Sequence, residues 1–321
     1  MRALLPIAFL AAVTACGGGT TTPSNTTRAG IYVTNPGNGS ITVYPLGATG
    51  NVAPSRTIAG TATGLSLPLG IGLDTHGNLY VANRTGSTVT VYADTASGNV
   101  APKRILQATG MGSPEGLIVG AGGDLFVSAC PGCGQGAGGV AAVFHFPNNA
   151  TASDYSLAGN NTGFTAPSGV AIDNANNLIV QNAFGGNVSV FAPGAQGNTL
   201  PLRSFSPGAS RNVQSVAYGS NSILLGIPGA GIELYPVTAT GTPSPAATLP
   251  PSGPLTITYP AAMFVDVSVP QPVIYLVDFG AAAIRIIQTA GTAPNLTVAS
   301  VTSIAGAATG LNQPIGIAVV H

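Results

Sequence analysis

The chain alternates short apolar runs with turn-forming residues, in a unit that recurs along most of its length. Three copies read PLGIGLDTHGNLYVAN from Pro68, PEGLIVGAGGDLFVSA from Pro114 and PSGVAIDNANNLIVQN from Pro167. Each copy has two apolar runs around a turn rich in Asp, Asn or Gly, which predicts a hairpin of two buried strands. An alternating third segment follows, as in TVTVYA from Thr88, and then a weaker fourth, as in KRILQA from Lys103. The unit therefore predicts four strands.

Six such units follow one another at intervals of 45 to 53 residues, measured at one position of the second strand. The residues at that position are Tyr32, Tyr80, Phe126, Ile179, Leu224 and Tyr275. Four-stranded repeats of this length are typical of β-propellers. The N-terminal unit lacks a first strand, and the C-terminal segment PIGIAVVH contains only a first strand. We therefore expect an all-β, six-bladed β-propeller over residues 30–321, with the ring closed by the C-terminal strand joining the N-terminal blade.

The recurring motifs resemble those of a known class of propeller. The patterns P-x-G-[IV]-A-[VI]-D, N-L-Y-V-x-N and V-x-V-[YF] are similar to NHL repeats, and they extend over about residues 29–321. The resemblance implies a six-bladed ring. It leaves the function open, because propellers of this kind include binding scaffolds, lyases and lactonases.

The N-terminal residues predict secretion and a lipid anchor. A basic start, Met1-Arg2, precedes an apolar run, Ala3 to Val13, that is too short to cross a bilayer as a helix. The run ends in VTAC, which resembles the lipobox of bacterial lipoproteins. The resemblance implies a signal peptide over residues 1–15, lipidation of Cys16 and a flexible tether over residues 16–29. The alternative is an ordinary signal peptide cut near Ala15.

A lipid at Cys16 would hold the protein to a membrane after its export across the inner membrane. No Asp follows Cys16, and by resemblance to lipoprotein sorting this favours the outer membrane where the cell has one. The expected location is therefore the cell envelope, with a membrane as one partner.

Charged residues make up only 6% of the chain, and the formal net charge is zero. Binding of nucleic acid requires clustered Lys and Arg, whereas this chain has one lysine and scattered arginines, so nucleic acid is excluded as a partner. Arg56, Arg104 and Arg203 each follow a proline by two residues on a predicted fourth strand. We expect them to protect exposed strand edges. We also expect a monomer.

Carboxylates recur at the ends of the predicted first strands, as Asp74, Asp173 and Asp266. Oxygen ligands in alternate blades could hold Ca²⁺ or Mg²⁺, but Asp at a hairpin turn usually accepts hydrogen bonds from nearby backbone amides. Turn capping is the favoured interpretation. The same structural role is expected for the polar residues that end the second strands, Asn35, Asn83, Asn182 and Asp278.

Glu115 is the one metal ligand that the sequence suggests. It lies at the start of a predicted first strand, and Glu115-Gly116 resembles a fragment of metal-dependent lactonase propellers in which a Glu holds the ion. The rest of that ligand set has no match, so a solvated acidic residue at the mouth of the channel is the favoured alternative. None of the three histidines, His76, His145 and His321, stands in a catalytic motif.

Cys130 and Cys133 form a CxxC pair in a Gly-rich loop. A zinc site would need two more ligands, and a thioredoxin-like pair would need a helix. A local disulfide is therefore expected outside the cytoplasm.

Together these patterns predict a lipid-anchored envelope propeller that binds a protein or a glycan. The alternatives are a metal-dependent hydrolase or lyase that uses the central channel, and a purely structural envelope protein. No cofactor is expected, unless a divalent cation binds in the channel through Glu115.

Overall fold

The computed structural model describes residues 28–130, 141–183, 185–208, 211–253 and 255–321. In this part of the chain, 24 strands form six antiparallel four-stranded sheets. Blade 1 consists of β24 (Ile317–Val320), β1 (Gly30–Asn35), β2 (Ser40–Tyr44) and β3 (Arg56–Ile58). Blade 2 consists of β4 (Pro68–Leu73), β5 (Asn78–Asn83), β6 (Thr88–Ala93) and β7 (Arg104–Leu106). Blade 3 consists of β8 (Pro114–Val119), β9 (Leu125–Ala129), β10 (Ala142–Phe146) and β11 (Tyr155–Ala158).

The second half of the chain continues the same order. Blade 4 consists of β12 (Pro167–Ile172), β13 (Leu178–Asn182), β14 (Val188–Phe191) and β15 (Arg203–Phe205). Blade 5 consists of β16 (Ser215–Gly219), β17 (Ser222–Ile227), β18 (Gly231–Pro236) and β19 (Ala247–Leu249). Blade 6 consists of β20 (Pro260–Asp266), β21 (Val273–Asp278), β22 (Ala283–Ala290) and β23 (Thr297–Ala305). Short 3-10 helices cover Asn160–Thr162, Phe279–Ala281 and Ala307–Thr309.

The six blades form a closed ring, as the repeats predicted. Each first strand contacts the first strands of both neighbouring blades, in the order β24, β4, β8, β12, β16, β20 and back to β24. The C-terminal strand β24 pairs antiparallel with β1, from Gly30 opposite Val320 to Val33 opposite Ile317. The expectation that the two termini share one blade is therefore confirmed.

The hydrophobic core lies between the blades. Each of six clusters of buried side chains draws on two neighbouring blades. In the cluster that joins blades 6 and 1, for example, Val277 and Ile284 pack with Ile31 and Tyr44. Burial of one such side chain stabilises a fold by about 1.5–3 kcal/mol, so adjacent blades support one another.

The outer edges of the blades are protected differently from the sequence-based expectation. In five of the blades a residue at the fourth strand or just after it forms a parallel bridge with a loop of the next blade, as Ile58 does with Gly98. Arg56 and Arg104 turn toward the adjacent blade and donate to the carbonyl oxygens of Asp94 and Ala150. Arg56 and Arg104 therefore join blades through hydrogen bonds from a charged group to backbone oxygens. Arg203 instead lies 4.0 Å from Asp173 of its own blade.

The polar residues that end the second strands also differ from their predicted role in hairpin turns. The side-chain oxygens of Asn35, Asn83 and Asn182 accept hydrogen bonds from backbone N–H groups two residues before the proline of a first-strand motif. Those N–H groups belong to Ser66, Thr165 and Asn312, and Asp278 accepts in the same way from Thr258. The residues hold the connectors between blades, because each connector passes directly over the end of a second strand.

Arg28, which falls in the segment that was predicted as a tether, contacts the propeller. Arg28 forms an ion pair with Asp94 and donates to the backbone oxygens of Asp74 and Thr75. Tyr32 donates its hydroxyl proton to the backbone oxygen of Arg28 at 2.9 Å. Cys16 and the rest of the predicted signal peptide and tether lie outside the described residues. In the described part of the chain, no helix is long and apolar enough to span a membrane.

Candidate functional site: the central channel

Irregular first strands turn side chains toward the ring axis at one end of the propeller. In blades 2, 3, 4 and 6 the pairing between first and second strands shifts register directly after the first-strand proline. In blade 3 the irregular stretch lies between Pro114 and Leu117 and contains Glu115 and Gly116. A bulge of this kind re-aims a side chain out of the regular alternation. It places Glu115 on the channel wall.

Gly116 lets blades 3 and 4 approach closely beside Glu115. A Cβ on Gly116 would lie 2.2 Å from the backbone oxygen of Ser168, which is closer than real contacts allow. The hydroxyl of Ser128 donates to that same oxygen at 2.6 Å and accepts from the Gly116 N–H at 3.0 Å. Blades 3 and 4 are therefore closely packed in the channel wall next to Glu115.

The first strands enclose a channel of about 640 Å³ along the ring axis. Its central part is lined by one aliphatic side chain from each blade, each of them 6–8% exposed. These are Ile71, Leu117, Val170, Val216, Met263 and Ile317. We call them the aliphatic ring. The mouth at which the first strands begin has polar groups beside the apolar Leu69, Ala261 and Ile315, and we call it the polar mouth. The polar residues there are Arg84, Glu115, Ser168, Asn212, Gln214 and Tyr259.

Glu115 and Arg84 form an ion pair at this polar mouth. The distance from Arg84 Nε to Glu115 Oε1 is 3.0 Å, and the side chains are 20% and 13% exposed. Burial raises the pKa of Glu115 to about 7, although the charge of Arg84 opposes this shift. A carboxyl group with such a pKa can donate or accept a proton at neutral pH. The sequence-based expectation of a solvated glutamate was wrong, because Arg84 from blade 2 covers it.

The polar mouth has uncharged hydrogen-bonding groups beside the ion pair. Ser168 donates its hydroxyl proton to Gln181 Oε1 at 2.7 Å. Tyr259 donates its hydroxyl proton to Gln214 Oε1. Both hydroxyl groups therefore have their protons committed to the protein and retain lone pairs that can accept from a ligand.

The aspartates at the ends of the first strands bind the protein itself. Asp74 Oδ1 accepts from the backbone N–H groups of His76 and Asn78, each at 2.8 Å. Asp173 Oδ1 accepts in the same way from Ala175 and Asn177, each at 2.9 Å. Asp266 Oδ1 accepts from Ser268, and Asp266 Oδ2 lies 2.8 Å from Nε2 of the terminal residue, His321.

The described residues hold no cluster of ionisable side chains of the kind that binds a divalent cation. They contain no group of three or more His, Cys, Asp or Glu side chains arranged to hold a metal. Glu115 is the only carboxylate on the described channel wall, and Arg84 already neutralises it. A Ca²⁺ or Mg²⁺ site would need several oxygen ligands. Among the described residues, Glu115 therefore has no second carboxylate beside it for the metal suggested there, and that metal stays a prediction.

The other candidate residues lie away from the polar mouth. His145 is buried in β10, where Nδ1 is 2.6 Å from Asp154 Oδ1 and the ring stacks on Tyr155 at 4.4 Å. Cys130 is also buried. Its predicted partner Cys133 lies outside the described residues, so the disulfide stays a prediction.

Sequence reasoning missed Arg84 and Tyr259. Arg84 directly follows the N-L-Y-V-x-N motif of blade 2, and Tyr259 directly precedes the first-strand proline of blade 6. Both positions fall where a second strand ends or a first strand begins, so they belong to the same mouth as Glu115. Their position within the repeat is the sequence signal that could have identified them.

Comparisons with known proteins support the fold. No protein-family model matches the chain, and no curated protein matches its sequence. A solved streptogramin B lyase is similar at 13% identity, with a TM-score of 0.58 over 90% of this chain and 83% of that one. Virginiamycin B lyase from Staphylococcus aureus is similar at 12% identity, with a TM-score of 0.56 over 92% of this chain and 89% of that one.

A protein of unknown function from Bacteroides caccae has 10% identity and a TM-score of 0.59, over 90% of this chain and 97% of that one. At these identities the likeness establishes the propeller fold and nothing finer. The NHL resemblance remains a resemblance of short motifs.

Proposed function

We propose that this protein is a binding module that holds its ligand in the central channel, at the polar mouth. The observation that carries the proposal is the channel of about 640 Å³, with an aliphatic ring inside and hydrogen-bonding groups at one end. Ligand sites in proteins are typically 300–1,000 Å³, mostly apolar, and have a few well-placed polar groups.

The proposal includes attachment to the cell envelope through a lipid on Cys16. The support is the short apolar N-terminal run that ends in VTAC. The protein or glycan partner predicted from the sequence would contact the loops around the channel.

A second candidate function is acid–base catalysis in the channel, of a lyase or hydrolase type. It is favoured by the pKa of Glu115, which burial raises to about 7 although the charge of Arg84 opposes the shift. A group of this kind could remove a proton from a bound molecule and return it at another atom. Two of the similar structures are named as lyases.

The proposal is tested by substitutions that place larger side chains in the channel. Ile71 and Val216 belong to opposite blades of the ring, and both line the channel. The variants Ile71→Phe and Val216→Phe are compared with Leu202→Phe, which adds the same ring at a side chain that is 59% exposed. Small molecules and oligosaccharides are screened by thermal shift against the full chain. Binding that both channel variants lose and Leu202→Phe keeps supports the proposal.

Mass spectrometry of each bound compound separates the two candidate functions. Unchanged ligand after long incubation supports a binding module. Conversion that Glu115→Gln abolishes supports the catalyst instead. If no compound requires an open channel, the proposed function is wrong.

A further inference from the structure

We infer that the channel takes a neutral amphiphile, whose apolar chain or ring system contacts the aliphatic ring and whose head donates hydrogen bonds at the polar mouth. This inference rests on the proposed binding function and adds the chemical class of the ligand.

The aliphatic ring defines the part of the ligand that enters the channel. Its six side chains come from the same register position of all six blades and are each 6–8% exposed, so they leave apolar surface facing the channel. Transfer of apolar ligand surface from water to such a wall is favourable in proportion to its area. A fully polar ligand would lose its water there without gaining partners.

The charged side chains at the polar mouth indicate that the head group of the ligand is uncharged. Arg84 and Glu115 are the only charged side chains on the described channel wall, and they pair at 3.0 Å. At a pH above the pKa of Glu115, where both groups are charged, a carboxylate, phosphate or ammonium head would have to lose its hydration and compete with this pair for a counter-charge. An uncharged head avoids that cost.

The hydroxyl groups of Ser168 and Tyr259 define the hydrogen-bonding sense of the head. Both donate their protons to glutamine side chains, to Gln181 and Gln214 respectively. The two hydroxyl groups therefore offer only acceptor lone pairs to a ligand. A ligand without a hydrogen-bond donor would leave these lone pairs without a partner. An alcohol or an amide N–H fits these acceptors, whereas an ether or an ester does not.

The experiment compares four heads on one ten-carbon chain. The full chain, carrying Cys16→Ala so that no protein-bound lipid competes, is loaded with the neutral fluorescent probe N-phenyl-1-naphthylamine. Displacement is then measured with 1-decanol, methyl decyl ether, decanoate and decyltrimethylammonium, all below their aggregation concentrations. We expect one site per chain, and decanol to bind at least tenfold more tightly than either ion and several-fold more tightly than the ether.

Two sets of variants separate the possible outcomes. Ser168→Ala and Tyr259→Phe should each reduce the preference for decanol over the ether, with little change for the ether itself. Ile71→Phe should abolish probe binding, and Leu202→Phe should not. A probe that binds in the channel but is displaced equally by all four heads, or best by an ion, overturns the inference alone. If the Ile71→Phe variant binds the probe as tightly as the unsubstituted channel does, the result counts against the proposed function itself.

Discussion

Glu115 holds its proton more strongly in the folded protein than in water. Burial raises its pKa from 4.5 to about 7, although Arg84 opposes the shift. The folded state therefore binds more protons than the unfolded chain between these two values, so stability falls as the pH rises through this range and is constant above it. A shift of this size corresponds to roughly 3 kcal/mol in the free energy of unfolding.

Glu115→Gln should remove this part of the pH dependence, because glutamine does not titrate. The measurement is urea unfolding of both proteins between pH 4.5 and pH 8. The wild-type stability should decline more steeply than that of the variant. Parallel curves would mean that Glu115 titrates as a solvated glutamate.

Among the described residues, the side-chain N–H group of Asn182 has no hydrogen-bond partner, although Asn182 is fully buried. At the same position of blade 2, Asn83 donates to Thr90 Oγ1 at 3.0 Å. The residue of blade 4 that corresponds to Thr90 is Ser189, whose hydroxyl pairs with Ser204 instead. An unpaired buried donor costs stability.

Ser189→Thr should therefore stabilise the protein by about 1 kcal/mol, because the added methyl group would direct the hydroxyl toward Asn182 as it does in blade 2. Thermal and urea unfolding give the change in stability. The same substitution in an Asn182→Ala background should bring no gain. An equal gain in both backgrounds would show that the methyl group alone is responsible.

At the scale of the strands, side chains near the end of the second strand join one first strand to the next. Thr34 Oγ1 donates to the backbone oxygen of Leu69 at 2.7 Å, and Ser128 donates to that of Ser168 at 2.6 Å. Blade 5 has Gly226 at this position, and Ser215 of its first strand donates to the backbone oxygen of Pro260 instead. The corresponding residues of blades 2 and 6 are Ala82 and Val277, which have no such group. The boundaries after those two blades carry the ion pairs Arg84–Glu115 and His321–Asp266 instead.

Close contact between first strands depends on glycine. A Cβ on Gly316 would lie 2.2 Å from the backbone oxygen of Leu69, where β24 approaches β4. Gly316→Ala should therefore destabilise the protein by about 3 kcal/mol or more, since a strand backbone cannot move aside easily. Gly120→Ala is the matched control, because its added Cβ would meet no atom closer than 3.6 Å. Similar unfolding midpoints for the two variants would contradict this account.

At the scale of the whole molecule, stability depends on closure of the ring. Deletion of residues 314–321 removes β24, which pairs with β1 and contributes Ile317 and Val319 to the core between blades 6 and 1. The deletion should abolish cooperative unfolding, because it exposes a strand edge and two apolar surfaces. Deletion of His321 alone removes only its contact with Asp266 and should keep the transition. An unchanged melting temperature in the longer deletion would disprove the closure.

The lipid anchor belongs to the same scale, because it determines where the propeller works. Expression of the full chain with an alkyne-tagged fatty acid should label the protein, and Cys16→Ser should abolish the label. Cys130→Ser is the control, since it leaves the N-terminal cysteine in place. A label that survives Cys16→Ser would contradict lipidation at this residue.

The repeat pattern alone was enough to predict the six blades, the strand order and the shared terminal blade. Each of these depends on local alternation of apolar and polar residues and on turns a few residues long, which lie close together in the chain. Glu115 was identified from its place at the start of a first strand and from the resemblance of Glu115-Gly116 to a fragment of metal-dependent lactonase propellers.

The partners of the polar side chains required the tertiary structure. Arg84 pairs with Glu115, His321 with Asp266, and Asn35 with the connector at Asn312, and each pair joins different blades or opposite ends of the chain. Such contacts depend on side-chain reach across a packed boundary, within a few tenths of an ångström. The repeat period shows which blades are neighbours, but only the packed ring determines which of their side chains meet.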